Sequence, residues 1–221
     1  MPERPPVVID TLRLQLVTDG VLCGARGVVA VVDAAVRGGV TLVQLREKVL
    51  VTRDFVARAR ALKALLGPLG VPLVINDRVD IALAIGADGV HIGQSDMDPA
   101  DVRRLLPHAL IGLSIESPDQ LPAAECAPVD YFGVSPVFAT PTKLDAMPPL
   151  GLEGLRAIRA ATRRPLVAIG GIDVRNVAAV IAAGADGVAI VSALCAAADP
   201  QAEARALRDA MGDAAHARGA R

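Results

Sequence analysis

Tryptophan is absent from this 221-residue chain, and one tyrosine and three phenylalanines hold the aromatic content at 2%. A core without large rings must be filled by aliphatic side chains, and 52% hydrophobic residues supply a sizeable one. Cysteine is scarce as well: Cys23, Cys126 and Cys195 are widely spaced, odd in number and lack any CxxC or Cys/His spacing. That pattern argues against a disulfide framework and against a zinc site, and leaves reduced core thiols. Charge of one sign is not in excess, because 23 Lys and Arg face 24 Asp and Glu for a formal net charge of −1. No global field therefore draws the protein to nucleic acid or to an anionic membrane, and any anion site must be local. No run approaches the roughly 20 apolar residues of a membrane span. The stretch Met1 to Asp10 is Pro-rich and charged, without the apolar segment of a signal peptide. A cytoplasmic location is the expectation.

What the chain has is alternation. Short apolar, β-branched-rich runs are followed by Ala-rich helical patterns, the signature of βαβ units on a parallel sheet. Eight strands are predicted, at Leu14–Thr18, Leu42–Arg46, Leu73–Asn76, Gly89–Ile92, Leu110–Leu113, Tyr131–Ser135, Leu166–Ile169 and Gly187–Val191. Helical patterns such as Ala57–Leu66 and Leu152–Ala161 lie between them. Eight strands close a (β/α)8 barrel, and a doubly wound sheet of fewer strands is the competing architecture. An internal repeat favours the barrel: Ala84-Ile85-Gly86-Ala87-Asp88-Gly89-Val90 recurs as Ala182-Ala183-Gly184-Ala185-Asp186-Gly187-Val188, offset by 98 residues or four βα units. Each Gly is expected to end a helix in a left-handed turn and each Asp to sit in a tight αβ connection at the stability end, without chemistry. The expected organisation is one α/β TIM-barrel domain over residues 1–221, with its core at about 13–212, a short amino-terminal tail and a frayed tail from Asp213 to Arg221.

The carboxyl ends of the strands, where such a barrel builds its active site, are polar. Val43-Gln44-Leu45-Arg46-Glu47-Lys48 puts an amide, a guanidinium and an ammonium on one face of a strand end, because side chains two apart share a face. Buried without partners these groups are costly, so the segment suits an anionic ligand; the competing reading is that Arg46 and Lys48 pair with Glu47 or a nearby Asp. Asn76-Asp77-Arg78 follows the third strand, His91-Ile92-Gly93-Gln94-Ser95-Asp96 leaves the fourth, and Gly112-Leu113-Ser114 ends the fifth. A Pro- and Thr-rich connection of about 15 residues follows the sixth and has the length of a functional lid. Ile169-Gly170-Gly171-Ile172 and Ile190-Val191-Ser192-Ala193 match the phosphate cup that barrels form after strands seven and eight.

Asn76, Asp77, Ser95 and Asp98 are also helix-capping types, and Asp98 before Pro99 is taken as a cap. Asp77 and Asp96 differ because they end adjacent parallel strands about 5 Å apart, so their carboxylates can reach one cation. Two carboxylates with substrate phosphates is how Mg²⁺ is usually held. His91, His108 and His216 receive no role.

Gln44 to Lys48, Asn76-Asp77-Arg78, the segment Gly89 to Asp96, Thr140-Pro141-Thr142-Lys143, Gly170-Gly171-Ile172 and Val191-Ser192-Ala193 together resemble the thiamine-phosphate synthase family, in order and spacing over roughly residues 13 to 200. The resemblance implies a TIM barrel, a transferase that joins 4-amino-2-methyl-5-(diphosphooxymethyl)pyrimidine to a thiazole phosphate and releases pyrophosphate. It places Gln44, Leu45, Arg46, Glu47 and Lys48 on the pyrimidine diphosphate, with Asn76 and Lys143 adding contacts. It makes Asp77 and Asp96 the Mg²⁺ ligands and sets Ser114 near the pyrimidine. Thr140, Pro141, Thr142, Gly171, Val191 and Ser192 fall in the segments that hold the thiazole phosphate. Two departures stand out: Ser135 where a Gly is expected, and Gln15 where an aromatic is common.

The chemistry implied is loss of diphosphate from the pyrimidinylmethyl carbon, with Mg²⁺, Arg46, Lys48 and Lys143 stabilising the leaving charge. The electron-rich aminopyrimidine supports a dissociative path with capture by the thiazole nitrogen, so orientation and electrostatics replace an enzyme nucleophile. Closure of the Thr140–Lys143 loop would exclude water. Two alternatives carry different requirements. A thiazole tautomerase on the same barrel would need an acid/base group and no diphosphate or metal residues; a non-catalytic thiazole-phosphate sensor would bind without Mg²⁺.

Overall fold

The computed structural model describes residues 9–140 and 147–219, with side chains described through Gly212. Pro141, Thr142 and Lys143 lie outside the described residues. Eight parallel strands, β1 (Leu14–Val17), β2 (Leu42–Leu45), β3 (Leu73–Asn76), β4 (Gly89–Ile92), β5 (Leu110–Ile115), β6 (Tyr131–Val134), β7 (Leu166–Ile169) and β8 (Gly187–Ile190), pair in chain order. The sheet closes where β8 returns to β1, with Leu14 opposite Val188 and Leu16 opposite Ile190. This is the predicted TIM barrel. The observed strands agree with the sequence to within two residues: β1, β2, β6 and β8 stop one residue early and β5 runs on to Ile115.

The helix after β2 spans Thr52–Leu66 and begins before the apolar pattern at Ala57, because its first turn is polar and carries Asp54, which suits the positive end of the helix. The last helix runs Pro200–Gly219. The frayed tail expected from Asp213 is therefore corrected as far as Gly219: the Ala-rich segment has high helix propensity and continues the preceding turns.

Period-two alternation divides each strand between two apolar layers. Leu14, Leu16, Val43, Leu45, Ile75, Val90 and Phe132 pack outward under the helices. Leu12, Val17, Leu42, Val74, Tyr131, Val167 and Ala189 fill the barrel interior. The one tyrosine and one of the three phenylalanines are thus back to back on β6.

At the amino-terminal end a single device recurs. The residue before each even-numbered strand accepts a hydrogen bond from a main-chain N–H at the start of the preceding strand. Thr41 Oγ1 accepts from Leu14 N at 2.9 Å, Asp88 Oδ2 from Leu73 N at 2.9 Å, Asp130 Oδ2 from Ile111 N at 2.7 Å and Asp186 Oδ2 from Leu166 N at 2.9 Å. Arg103 pairs with Asp130 at 2.9 Å and Arg159 with Asp186 at 3.0 Å. The two aspartates of the repeat thus tie strands together, and Gly86 ends its helix in the left-handed region at φ 62°. Among the described residues no helix is long and apolar enough to cross a membrane.

Candidate active site

The strand ends open into a cavity of about 510 Å³ at the carboxyl-terminal face. Gln44, Arg46 and Lys48 line it, as the shared face requires, together with Asn76, Asp77, Asp96, Ser114, Thr140, Gly171, Val191 and Ser192. Leu45 and Glu47 do not. Leu45 is buried in the outer layer, and Glu47 pairs with Arg58. The same alternation that aims Gln44, Arg46 and Lys48 inward turns these two away from a ligand in the cavity.

Arg46 is held by its main chain. Buried Thr18 donates from Oγ1 to Arg46 O at 3.3 Å, accepts from Arg46 N at 3.0 Å, and its own N–H reaches Gln44 O at 2.9 Å. Among the described residues no carboxylate pairs with the Arg46 guanidinium. The competing reading, a cluster neutralised within the strand end, holds only for Lys48, whose Nζ lies 2.7 Å from Asp77 Oδ2.

Asp77 is the sole non-glycine residue with positive φ among those described, at 60°. That conformation is strained for an Asp and is fixed by bonds from Asp77 N to His91 O at 2.9 Å and from Val79 N to Asp77 O at 3.1 Å. Neither Asn76 nor Asp77 caps the following helix, whereas Asp98 does cap its own by accepting from Ala100 N at 2.8 Å. Asp96 accepts from Gly93 N at 2.6 Å. Partial burial holds its carboxyl above the usual range, and the negative charge of Asp77 adds to this. Both carboxylates line the same cavity, and an all-oxygen pair is the donor set a hard divalent ion takes. The residues present therefore fit Mg²⁺.

His91, which the sequence left without a role, stands in the cavity wall. Its Nδ1 is 3.0 Å from Tyr131 Oη and its Nε2 is 3.0 Å from Ser114 Oγ. Enclosure in the barrel lowers its pKa to about 4, only partly countered by the Asp77 charge. Gln94 donates from Nε2 to Ser114 O at 2.6 Å. The signal for His91 was legible: Val90 and Ile92 face the outer layer, so His91 faces inward. Gln15, the departure near the amino terminus, is 1% exposed in the cavity wall, and its Nε2 is the one buried side-chain nitrogen or oxygen without a hydrogen-bond partner among the described residues. Ser135 continues the ladder by donating to Ile115 O at 3.0 Å. Gly171, at φ 62°, has no room for a side chain: a Cβ there would lie 2.7 Å from Ala139 O and 2.8 Å from Phe138 Cβ.

Comparison with known proteins agrees with this geometry. A family model described as thiamine monophosphate synthase matches residues 14–194. The chain is 61% identical over 203 residues to a thiamine-phosphate synthase of Albidiferax ferrireducens, covering 91% of this chain and 93% of the relative. It is 57% identical over 201 residues to one from Xanthobacter autotrophicus, covering 90% and 95%. A solved thiamine phosphate pyrophosphorylase from Pyrococcus furiosus superposes with a TM-score of 0.86 at 35% identity, over 93% of this chain and 98% of that one. A 3-hexulose-6-phosphate synthase, at a TM-score of 0.70 and 21% identity, shares the fold. The chain belongs to the thiamine monophosphate synthase family.

Proposed function

We propose that the cavity is where this transferase condenses 4-amino-2-methyl-5-(diphosphooxymethyl)pyrimidine with 4-methyl-5-(2-phosphooxyethyl)thiazole, giving thiamine phosphate and pyrophosphate. The observation that carries the reading is an Arg46 residue held by its main chain, its guanidinium without a carboxylate partner among the described residues, in one cavity with the carboxylates of Asp77 and Asp96. Arg46 and Lys48 bind the diphosphate and stabilise the negative charge that grows as the carbon–oxygen bond breaks. Gln44 and Asn76 orient the pyrimidine diphosphate, and Ser114 meets the pyrimidine. Lys143 adds a positive charge on the leaving group, by the family resemblance. Thr140, Thr142, Gly171, Val191 and Ser192 hold the thiazole phosphate, by the family resemblance; Thr140, Gly171, Val191 and Ser192 line the cavity together.

Asp77 and Asp96 would hold Mg²⁺, which when bound supplies neutralising charge at the diphosphate. The protein's own part is to bind both substrates in line and keep water from the electron-deficient methylene carbon until the thiazole nitrogen attacks. No side-chain nucleophile is needed. A tautomerase or a sensor would leave Arg46 and the carboxylate pair without use, and the relatives named above carry the synthase name.

The test is to mix purified protein with both substrates, with Mg²⁺ or with a chelator, and follow thiamine phosphate by mass spectrometry. Product that requires Mg²⁺ is expected. Binding of thiazole phosphate with no product under either condition contradicts the reading.

A further inference from the structure

We infer that Tyr131 and His91 are positioning residues that fix the polarity of Ser114, so that its hydroxyl presents a donor, not an acceptor, to a ring nitrogen of the pyrimidine. The inference rests on the proposed substrate site. Its structural premise can be tested without substrate.

Tyr131 is 0% exposed, and among the described residues its hydroxyl has one polar partner, His91 Nδ1 at 3.0 Å. The imidazole is enclosed by the barrel with hydroxyls at both nitrogens and no carboxylate hydrogen-bonded to it, which favours the neutral ring. A neutral imidazole has one donor and one acceptor nitrogen, and two arrangements are open. If Nδ1 carries the proton, it donates to Tyr131 Oη, and the phenol proton is left in the barrel wall with no acceptor. If Nε2 carries it, Tyr131 donates to Nδ1 and Nε2–H donates to Ser114 Oγ. Only the second gives both the phenol and the imidazole proton an acceptor, and an unsatisfied buried donor costs more than a made hydrogen bond returns.

The proton order is therefore Tyr131 to His91 to Ser114. Ser114 accepts from the ring, so its own proton is free to point into the cavity. Gln94 fixes the serine main chain from the other side through its bond to Ser114 O. Two neighbouring strands make room for the arrangement: a Cβ at Gly112 would collide with both Tyr131 Cζ and His91 Nδ1, and one at Gly133 would lie 2.7 Å from His91 Cε1. Larger residues at either position would displace the ring that sets the serine.

A hydroxyl that donates selects an unprotonated ring nitrogen, an acceptor that an aminopyrimidine offers and a carbocyclic analogue lacks. Thiazole phosphate binding should not depend on it.

The experiment is nitrogen-15 NMR of the free protein, with the His91 signals assigned by their loss in His91→Gln. Expected at neutral pH are a pyridine-type Nδ1 and a pyrrole-type Nε2; a pyrrole-type Nδ1 overturns the inference whatever the enzyme's activity. Tyr131→Phe, which removes one oxygen, should mix the two tautomers and raise KM for the pyrimidine diphosphate about five-fold with KM for thiazole phosphate unchanged. Ser114→Ala should raise the same KM, and adding Tyr131→Phe to it should cost nothing more. Additive effects, or an unchanged tautomer in Tyr131→Phe, overturn the positioning role. Absence of product from the wild type would instead count against the substrate assignment and leave the tautomer result standing.

Discussion

The two ends of the barrel are made of the same residue types and use them in opposite ways. At the amino-terminal end, Asp88, Asp130 and Asp186 each accept from a strand N–H, and Asp130 and Asp186 each hold an arginine as well. At the carboxyl-terminal end, Asp77 sits at φ 60° and the Asp96 carboxyl is held above its usual range; among the described residues Arg46 lacks a carboxylate, and Gln15 Nε2, deeper in the cavity wall, has no partner. Polar groups that satisfy one another hold a fold together; polar groups left unsatisfied are held ready for a ligand. An aspartate has no single meaning in this barrel until its end is known.

The sharpest way to break this contrast is at the carboxylate pair. Asp96→Ala should lower turnover about 10²–10³-fold, the scale expected for removing an electrostatic stabiliser of the transition state. Thiazole phosphate binding, measured by calorimetry, should persist. At the opposite end Asp130→Ala should cost about 2 kcal/mol of unfolding free energy in urea, because it removes the Arg103 ion pair and leaves the buried N–H of Ile111 without its acceptor. Turnover per folded molecule should not change.

Acid should act on the wall between the two ends. His91 is lowered from 6.5 to about 4 in the fold, so between those values the unfolded chain binds more protons than the native one. Stability is then fully present above pH 6.5 and falls as pH drops toward 4, by about 2–3 kcal/mol in all from this residue. Urea titrations across that range should show His91→Gln losing less stability on acidification than the wild type. The smallest effect is expected at Gln15: Gln15→Leu removes the unpartnered amide and should stabilise the free protein by about 1 kcal/mol while weakening pyrimidine diphosphate binding.

Much of this was legible in the sequence. Eight apolar runs separated by helical patterns, with a four-unit repeat, set strand positions to within two residues, because period-two and period-3.6 burial leave a direct imprint on composition. The same periodicity separates Gln44, Arg46 and Lys48 from Leu45 and Glu47, and the family resemblance, which treats the segment as one block, does not make that distinction. Alternation along β4 turns His91 inward, but the sequence alone does not distinguish a packed strand histidine from a site residue. Its partners were out of reach, since Tyr131 and Ser114 come from other strands and the space for the ring comes from Gly112 and Gly133, whose meaning depends on the strand register. The helix through Gly219 was missed because an Ala-rich polar segment has propensity but no apolar stripe.

The division between the ends is tested most directly by measuring denaturant unfolding and turnover in parallel on Arg46→Ala and Asp130→Ala. Arg46→Ala should unfold within about 0.5 kcal/mol of the wild type while kcat/KM falls about 100-fold. Asp130→Ala should show the reverse, a less stable barrel with normal turnover per folded molecule. An Arg46→Ala protein that loses stability and keeps its turnover, or an Asp130→Ala protein that is stable and inactive, would contradict the account.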